Sequence, residues 1–361
     1  MPHTADPPGP ATTRAATTKD AVPRAATTKA ATTQAAVARP GEPASPGRDG
    51  PGPTAADVLG AWIAAQTATL AGLAADVRAD RPDAVHRMRV TCRRLRSTLQ
   101  AYRPLIGADT TALISALRAL AAALGTARDT EVIAERLTTA ARALPPECGP
   151  QEVVAAMEHW AAGRTAQARP ETLAALDGPA FPALLAALRS LAGQPRFTAR
   201  AEGPALPVLA RTARRQQRRV ARRLDAAGTA EPGEAVAAAL HEARKAAKRA
   251  RYAGEPAGVA AERFTRGMKA LQDILGAHQD AVVACGTLRG LAADDPAHAF
   301  AYGVLHGGQS DAAAQERARL PEVWREAGRK PRFRGPVPAA AVTAGPRTPR
   351  RSRGGRAASP G

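Results

Sequence analysis

A chain of 361 residues with 51 Lys and Arg against 32 Asp and Glu carries a formal net charge of +19 and a pI near 11.2. That balance calls for a polyanionic partner such as nucleic acid, an anionic membrane surface or a polyphosphate. Aromatic residues make up only 3%, which disfavours reading single-stranded bases on stacking platforms, and the dominance of Ala and Leu over β-branched residues argues against a sheet protein.

In chain order, residues 1–53 are Ala, Thr, Pro and Gly with scattered charges and a near-repeat, RAATTKD from Arg14 and RAATTKA from Arg24. No apolar period runs through them, so the segment is expected to be a disordered tail. It lacks an apolar core after its first charges, and no stretch of about 18 apolar residues is recognised anywhere, so secretion and membrane contact are not expected. Thr54 is placed to cap a first helix carrying Trp62, Ile63, Leu70 and Leu73. Pro82 and Asp83 open a second, which runs to about Arg103 before Pro104. Further helices are predicted over 109–143, 150–168 and 171–192. The sequences GQPRF and EGPALP then make a break near 193–207. Beyond it lie helices over 206–227, 233–253, 258–276, 278–293 and 296–327. The reading is an all-α domain over 54–328, built as two pseudo-symmetric helical-bundle halves at 54–195 and 205–328. Residues 329–361 read as a second disordered tail with nine basic residues and no acid. That tail contributes +9 and the N-terminal tail +2, leaving +8 for 54–328.

Self-comparison makes the helical rhythm specific. VHRMRVTCRRLRSTLQAYRP from Val85 and LHEARKAAKRARYAGEP from Leu240 align on His86 and His241. Basic residues follow at three positions on (Arg89; Arg244), seven (Arg93; Lys248), eight (Arg94; Arg249) and ten (Arg96; Arg251). Downstream, LGTARDTEV from Leu124 is echoed by LGAHQDAVV from Leu275, pairing Gly125 with Gly276 and Asp129 with Asp280. At about 100° per residue, His86, Arg89, Arg93 and Arg96 form one stripe about 15 Å long. Arg94 projects to one side, and Met88, Cys92, Leu95, Leu99 and Tyr102 form an adjoining core face. No Asp or Glu occurs between Ala84 and Ala108 to offset the stacked charge, so a polyanion is a natural source of counter-charge. A further run, RTARRQQRRVARR from Arg211 to Arg223, holds seven Arg and no acid. Its charges spread around the helix and lack the His, which ranks it below the paired stripes.

These two helices, with the Leu-Gly and Asp elements after them, resemble the CHAD family, the conserved histidine α-helical domain, over about residues 54–328. The second copy ends in the Arg251–Tyr252 pair typical of that family. The first copy has Arg128 before Asp129 where the second has Gln279, so no ionic role is carried to that position. The resemblance implies an all-helical binding module for inorganic polyphosphate, cytoplasmic and associated with polyphosphate granules. The Glu-x-Glu-x-Lys signature of the CYTH triphosphatase domain, to which many members are fused, does not occur in the chain.

Polyphosphate is a flexible anion without bases, so its receptor needs charge and donors in a track, and the planar fork of Arg suits phosphate oxygens. The expected contacts are His86, Arg89, Arg93, Arg94, Arg96, His241, Arg244, Lys248, Arg249 and Arg251, with Lys245 in second rank. Asp129 and Asp280 are expected to be helix caps or partners of polar groups. The other histidines, at 3, 159, 278, 298 and 306, have no repeat-related context. Neither a metal nor another cofactor is expected, since no HExxH or Cys/His cluster is present and Cys92, Cys148 and Cys285 lie far apart. No nucleophile, paired carboxylate or nucleotide-binding loop gives catalysis a foothold, so a binding protein and not an enzyme is expected. The competing reading is a nucleoid-associated protein whose basic tails, the C-terminal one above all, hold DNA non-specifically by charge. A scaffold that binds another protein through the basic face is a third class.

Overall fold

The computed structural model describes residues 52–336, apart from 194, 195 and 232. Most of both predicted tails, 1–51 and 337–361, lies outside these residues. Ten α-helices make up the described part: α1 Ala55–Arg78, α2 Ala84–Tyr102, α3 Thr111–Ala123, α4 Gly125–Ala141, α5 Pro150–Asp177, α6 Ala180–Gly193, α7 Ala205–Gly228, α8 Glu234–Gly254, α9 Glu262–Asp294 and α10 Ala299–Ala327. Isolated bridges, and no strand, accompany them among the described residues.

Thr54 caps α1 as its chemistry suggests. Its Oγ1 accepts the Asp57 N–H at 3.1 Å and its own N–H donates to Asp57 Oδ2 at 3.0 Å, a reciprocal capping box. Asp83 precedes α2 in left-handed conformation (φ 58°) and gives no side-chain cap. The period of α2 sends Met88, Cys92, Leu95, Leu99 and Tyr102 inward, all fully buried, each worth about 1.5–3 kcal/mol against an exposed reference. α1 is long and apolar enough to cross a membrane by length and composition, a feature the sequence reading did not recognise. In the fold, Leu59, Ile63, Leu70, Leu73 and Val77 of that helix are core residues packed with α2 and α6.

Three helix boundaries differ from expectation. The predicted 109–143 helix is divided at Leu124. Pro170 sits inside α5, and the break falls at Gly178; an interior proline removes one backbone bond without having to end a helix. Gly276 does not interrupt α9, whose backbone stays helical through it.

Three hydrophobic cores hold the helices together. The first joins α1, α2, α3 and α6 with Leu209 of α7 and Ala253 of α8. The second lies among α7, α8, α9 and the end of α10. The third combines Ile133, Leu137, Val153 and Met157 of α4 and α5 with Leu288, Tyr302 and Leu305 of α9 and α10. The first and third cores thus draw residues from both sides of the 193–207 segment. That segment is also tied down by its backbone: Ala55 N–H donates to Gly203 O (3.0 Å), Ala205 N–H to Pro53 O (3.0 Å), Gly107 N–H to Arg196 O (2.5 Å) and Thr198 N–H to Leu105 O (2.9 Å). It is the break in helix that its Pro and Gly residues predict, and it clamps the start of α1 and the end of α2.

The C-terminal boundary also moves. Disorder was expected from Arg329, yet Phe333 packs on Phe264 and Arg334 N–H donates to Ala260 O at 3.2 Å. A lone aromatic in a basic stretch carries too little periodicity to announce a docked segment.

Candidate anion-binding cluster on α2 and α8

The two repeated helices pack against each other. Tyr102 Oη donates to Ala253 O at 2.5 Å, Arg249 Nε to Gln100 Oε1 at 3.1 Å, and Arg94 Nε to Glu255 Oε2 at 2.8 Å. Their basic residues therefore meet across the join.

The first repeated cation faces the same Gly and Asp in both copies, more tightly in the first. Arg89 donates to both carboxylate oxygens of Asp129 (3.0 and 3.2 Å) and to Gly125 O (3.2 Å). Arg244 lies 3.9 Å from Asp280. A Cβ on Gly125 would come to 3.6 Å from the Arg89 guanidinium, and one on Gly276 to 3.6 Å from that of Arg244. The repeated Gly and Asp thus form a floor and an anchor for the repeated Arg. Asp129 and Asp280 sit inside α4 and α9 as ion-pair partners, not as helix caps.

A second anchor was not visible in the sequence. Glu255, just after α8, faces Arg94 (2.8 Å) and Arg251 (3.4 Å), one from each repeat. Burial raises its carboxyl pKa despite the attraction of both guanidiniums. Arg251 also reaches Gln272 Oε1 at 3.5 Å and stacks 5.3 Å from the Tyr252 ring centroid. The missing counter-charge of α2 is therefore supplied in part from within the fold, by carboxylates distant in sequence.

Arg93, Arg96, Lys248 and Arg249 have no carboxylate within ion-pair distance among the described residues. They are electrostatic neighbours. Lys248 is half-buried, and desolvation, followed by the repulsion of Arg244 and Arg93, pushes its ammonium down to about 7, against the pull of Asp280. Arg244 is lowered chiefly by burial, with Asp280 opposing and Arg93 adding to the shift. Burial also lowers Arg96, with Arg118 and Arg93 beside it, and Arg249, with Arg219 and Arg96 beside it. The Nε atoms of Arg93 and Arg244 are buried without a hydrogen-bond partner. A half-buried set of cations without carboxylate partners among the described residues is suited to hold an anion that brings several oxygens.

The remaining expected residues sit differently. His241 Nδ1 donates to Gln279 Oε1 at 2.8 Å, so this histidine has a protein partner. His86 is exposed and lines a cleft of about 920 Å³ with Glu131 and Arg169. Lys245 is exposed and pairs with Glu242 one turn away. The side chain of Arg128 lies outside the described residues. Three basic residues that the reading left unassigned or ranked lower join the cluster's surroundings: Arg118 of α3 beside Arg96, and Arg219 and Arg223 of α7 beside Arg249. The signal for the last two was the 211–223 run itself, whose charge lies on the helix that packs along α8.

The CHAD domain family model matches residues 61–289. The chain is 34% identical over 254 residues to two curated Mycobacterium tuberculosis proteins, Uncharacterized protein MT2285 and Uncharacterized protein Rv2226, covering 69% of this chain and 49% of each relative. It therefore spans about half the length of the curated relatives it matches. Among solved structures, PptA from Streptomyces chartreusis superposes with a TM-score of 0.63 at 22% identity, over 76% of this chain and 99% of that one. The CHAD domain from the plant Ricinus communis gives 0.58 at 24% identity, over 79% and 96%. At these identities the superpositions speak for the fold.

Proposed function

The chain belongs to the CHAD domain family, and from that premise we propose that it is a binding module for inorganic polyphosphate, held by the cation cluster where α2 meets α8. One observation carries the reading: the two repeats converge on Arg93, Arg96, Lys248 and Arg249, which have no carboxylate partner among the described residues, while Arg89, Arg94, Arg244 and Arg251 are held by Asp129, Glu255 and Asp280. The paired cations fix the shape of the surface, and the unpaired ones present charge to a ligand. Arg forks offer paired donors to phosphate oxygens, and the ligand relieves the mutual repulsion that the fold leaves uncompensated. His241, Lys245 and His86 are outer contacts in this scheme, because each has its own protein environment. The module acts by binding, without catalysis or a cofactor, and it brings the protein to polyphosphate granules in the cytoplasm.

The test is the full-length double variant Arg93→Glu with Lys248→Glu. Losing two charge-assisted contacts of about 1.5–3 kcal/mol each predicts a fall in polyphosphate affinity of roughly 10²- to 10⁴-fold, with the helical circular dichroism unchanged. Unchanged capture at moderate salt would show that the cluster is not the site.

A further inference from the structure

The chain after α10 is docked by neutral groups. Gln217 Nε2 donates to the carbonyls of Ala327 and Arg329, both at 2.9 Å. Arg334 N–H donates to Ala260 O at 3.2 Å. Pro331 is buried, and the Phe333 ring packs on Phe264 with centroids 5.9 Å apart. None of these contacts uses the charge of Arg329, Lys330, Arg332 or Arg334. Those four side chains, with Arg263 and Arg266 at the start of α9, nevertheless line one cleft of about 870 Å³. Two carboxylates offset them: Glu326 pairs with Arg263 (3.3 Å) and Arg329 (2.9 Å), and Glu262 with Arg266 (3.5 Å). Lys330, Arg332 and Arg334 have no carboxylate partner among the described residues. Cations that neither dock the segment nor find internal partners, gathered around a concave surface, are placed for an external anion.

We propose that this cleft is a second anion site, which takes a stretch of condensed phosphate separately from the α2–α8 cluster. The choice of ligand rests on the preceding reading of function; the choice of residues does not. Condensed phosphate fits better than single-stranded nucleic acid because the one ring that lines the cleft among the described residues, Phe264, is buried and packed on Phe333, leaving no platform for a base. The two sites share α9. Arg266 and Gly276, the seat of Arg244, are ten residues apart on that helix, about 15 Å along its axis. A long phosphate chain can engage both sites, whereas a chain of three phosphates occupies one at a time.

The experiment is calorimetric titration of the full-length protein with tripolyphosphate and with long-chain polyphosphate. It compares the wild type, a cleft variant (Lys330→Glu, Arg332→Glu and Arg334→Glu together) and the cluster variant (Arg93→Glu with Lys248→Glu). The wild type is expected to bind two equivalents of tripolyphosphate and each variant one. Long-chain affinity of the cleft variant is expected to fall roughly tenfold or more through loss of bivalency, at unchanged melting temperature, because the altered residues are exposed. A single equivalent on the wild type, or a cleft variant identical to it, overturns the second site. A cleft variant that loses duplex DNA binding and keeps both tripolyphosphate equivalents also overturns it, in favour of nucleic acid. If the cluster variant keeps both equivalents while the cleft variant loses one, the α2–α8 reading fails and the cleft stands.

Discussion

Under the proposed function, Lys248 should make binding sensitive to pH in a calculable way. Its ammonium sits at about 7 in the ligand-free protein, against an ordinary 10.5, because of burial and the facing Arg244, Arg93 and Arg89, partly offset by Asp280. A polyanion seated on the cluster favours the charged form, so binding above neutrality takes up a proton. If the ligand brings the ammonium back only to about 8, affinity falls about 8-fold between pH 6 and pH 9; if it restores the ordinary value, the fall is about 90-fold. At pH 8 full restoration corresponds to uptake of about 0.9 proton per site. Calorimetry of long-chain polyphosphate at pH 8, in two buffers of different ionisation enthalpy, measures that uptake directly. Long chains keep the contribution of titrating terminal groups small. Lys248→Arg keeps the charge and should flatten the profile. Affinity that does not change between pH 6 and pH 9, together with no proton uptake at pH 8, would refute the placement of Lys248 beside the ligand.

The same group sets the stability of the free protein with the opposite sense. A lysine lowered in the folded state is neutral there while still protonated in the unfolded chain, so ligand-free stability should rise as pH goes from about 7 towards 10. By urea unfolding the gain between pH 6 and pH 9 from this group should reach about 3 kcal/mol, and Lys248→Met should abolish it while weakening polyphosphate binding. Gly254 has no room for a side chain: an added Cβ would lie 2.7 Å from Thr265 Cγ2 and 2.8 Å from Phe264 Cδ1. Gly254→Ala should therefore cost about 1–3 kcal/mol in urea unfolding. Gly276→Ala should fold normally and bind as the wild type, because its Cβ meets Arg244 at an ordinary 3.6 Å. The added methyls of Gly276→Val should lift Arg244 from its seat, lowering polyphosphate affinity by about three- to tenfold with little change in melting temperature.

Much of the fold was legible because α2 and α8 state their faces twice. The apolar period of α2 marked Met88, Cys92, Leu95, Leu99 and Tyr102, all of which are buried. The shared spacing from His86 and His241 marked cations that the fold brings together. What sequence spacing could not convey was partnership across long separations. Glu255 lies 161 residues from Arg94, and nothing local to α2 announces it. Gly125 and Gly276 lie against the guanidiniums of Arg89 and Arg244, a contact that spacing along the chain does not announce. The Pro and Gly of 193–207 mark a break between helices, but composition is blind to the bonds that fix Gly203, Arg196 and Leu105. Histidine identity was also a weaker guide than position, since His241 is engaged by Gln279 and His86 opens on another cleft.

The internal carboxylates alter what the charge of the chain means. Of the +19 in the whole chain, the proposed function draws first on the small set on α2 and α8 that has no carboxylate partner among the described residues. Asp129, Glu255 and Asp280 neutralise their neighbours and stiffen them, so a ligand meets a preorganised surface and not a set of mobile side chains.

The central claim is tested most directly by measuring salt-dependent binding of long-chain polyphosphate and of duplex DNA, side by side, to the full-length wild type and to Arg93→Glu with Lys248→Glu. The account predicts that the variant loses polyphosphate affinity at every salt concentration, with a shallower salt slope, while its DNA binding stays close to wild type. Equal losses for both ligands, or a variant that binds polyphosphate like the wild type, would contradict it.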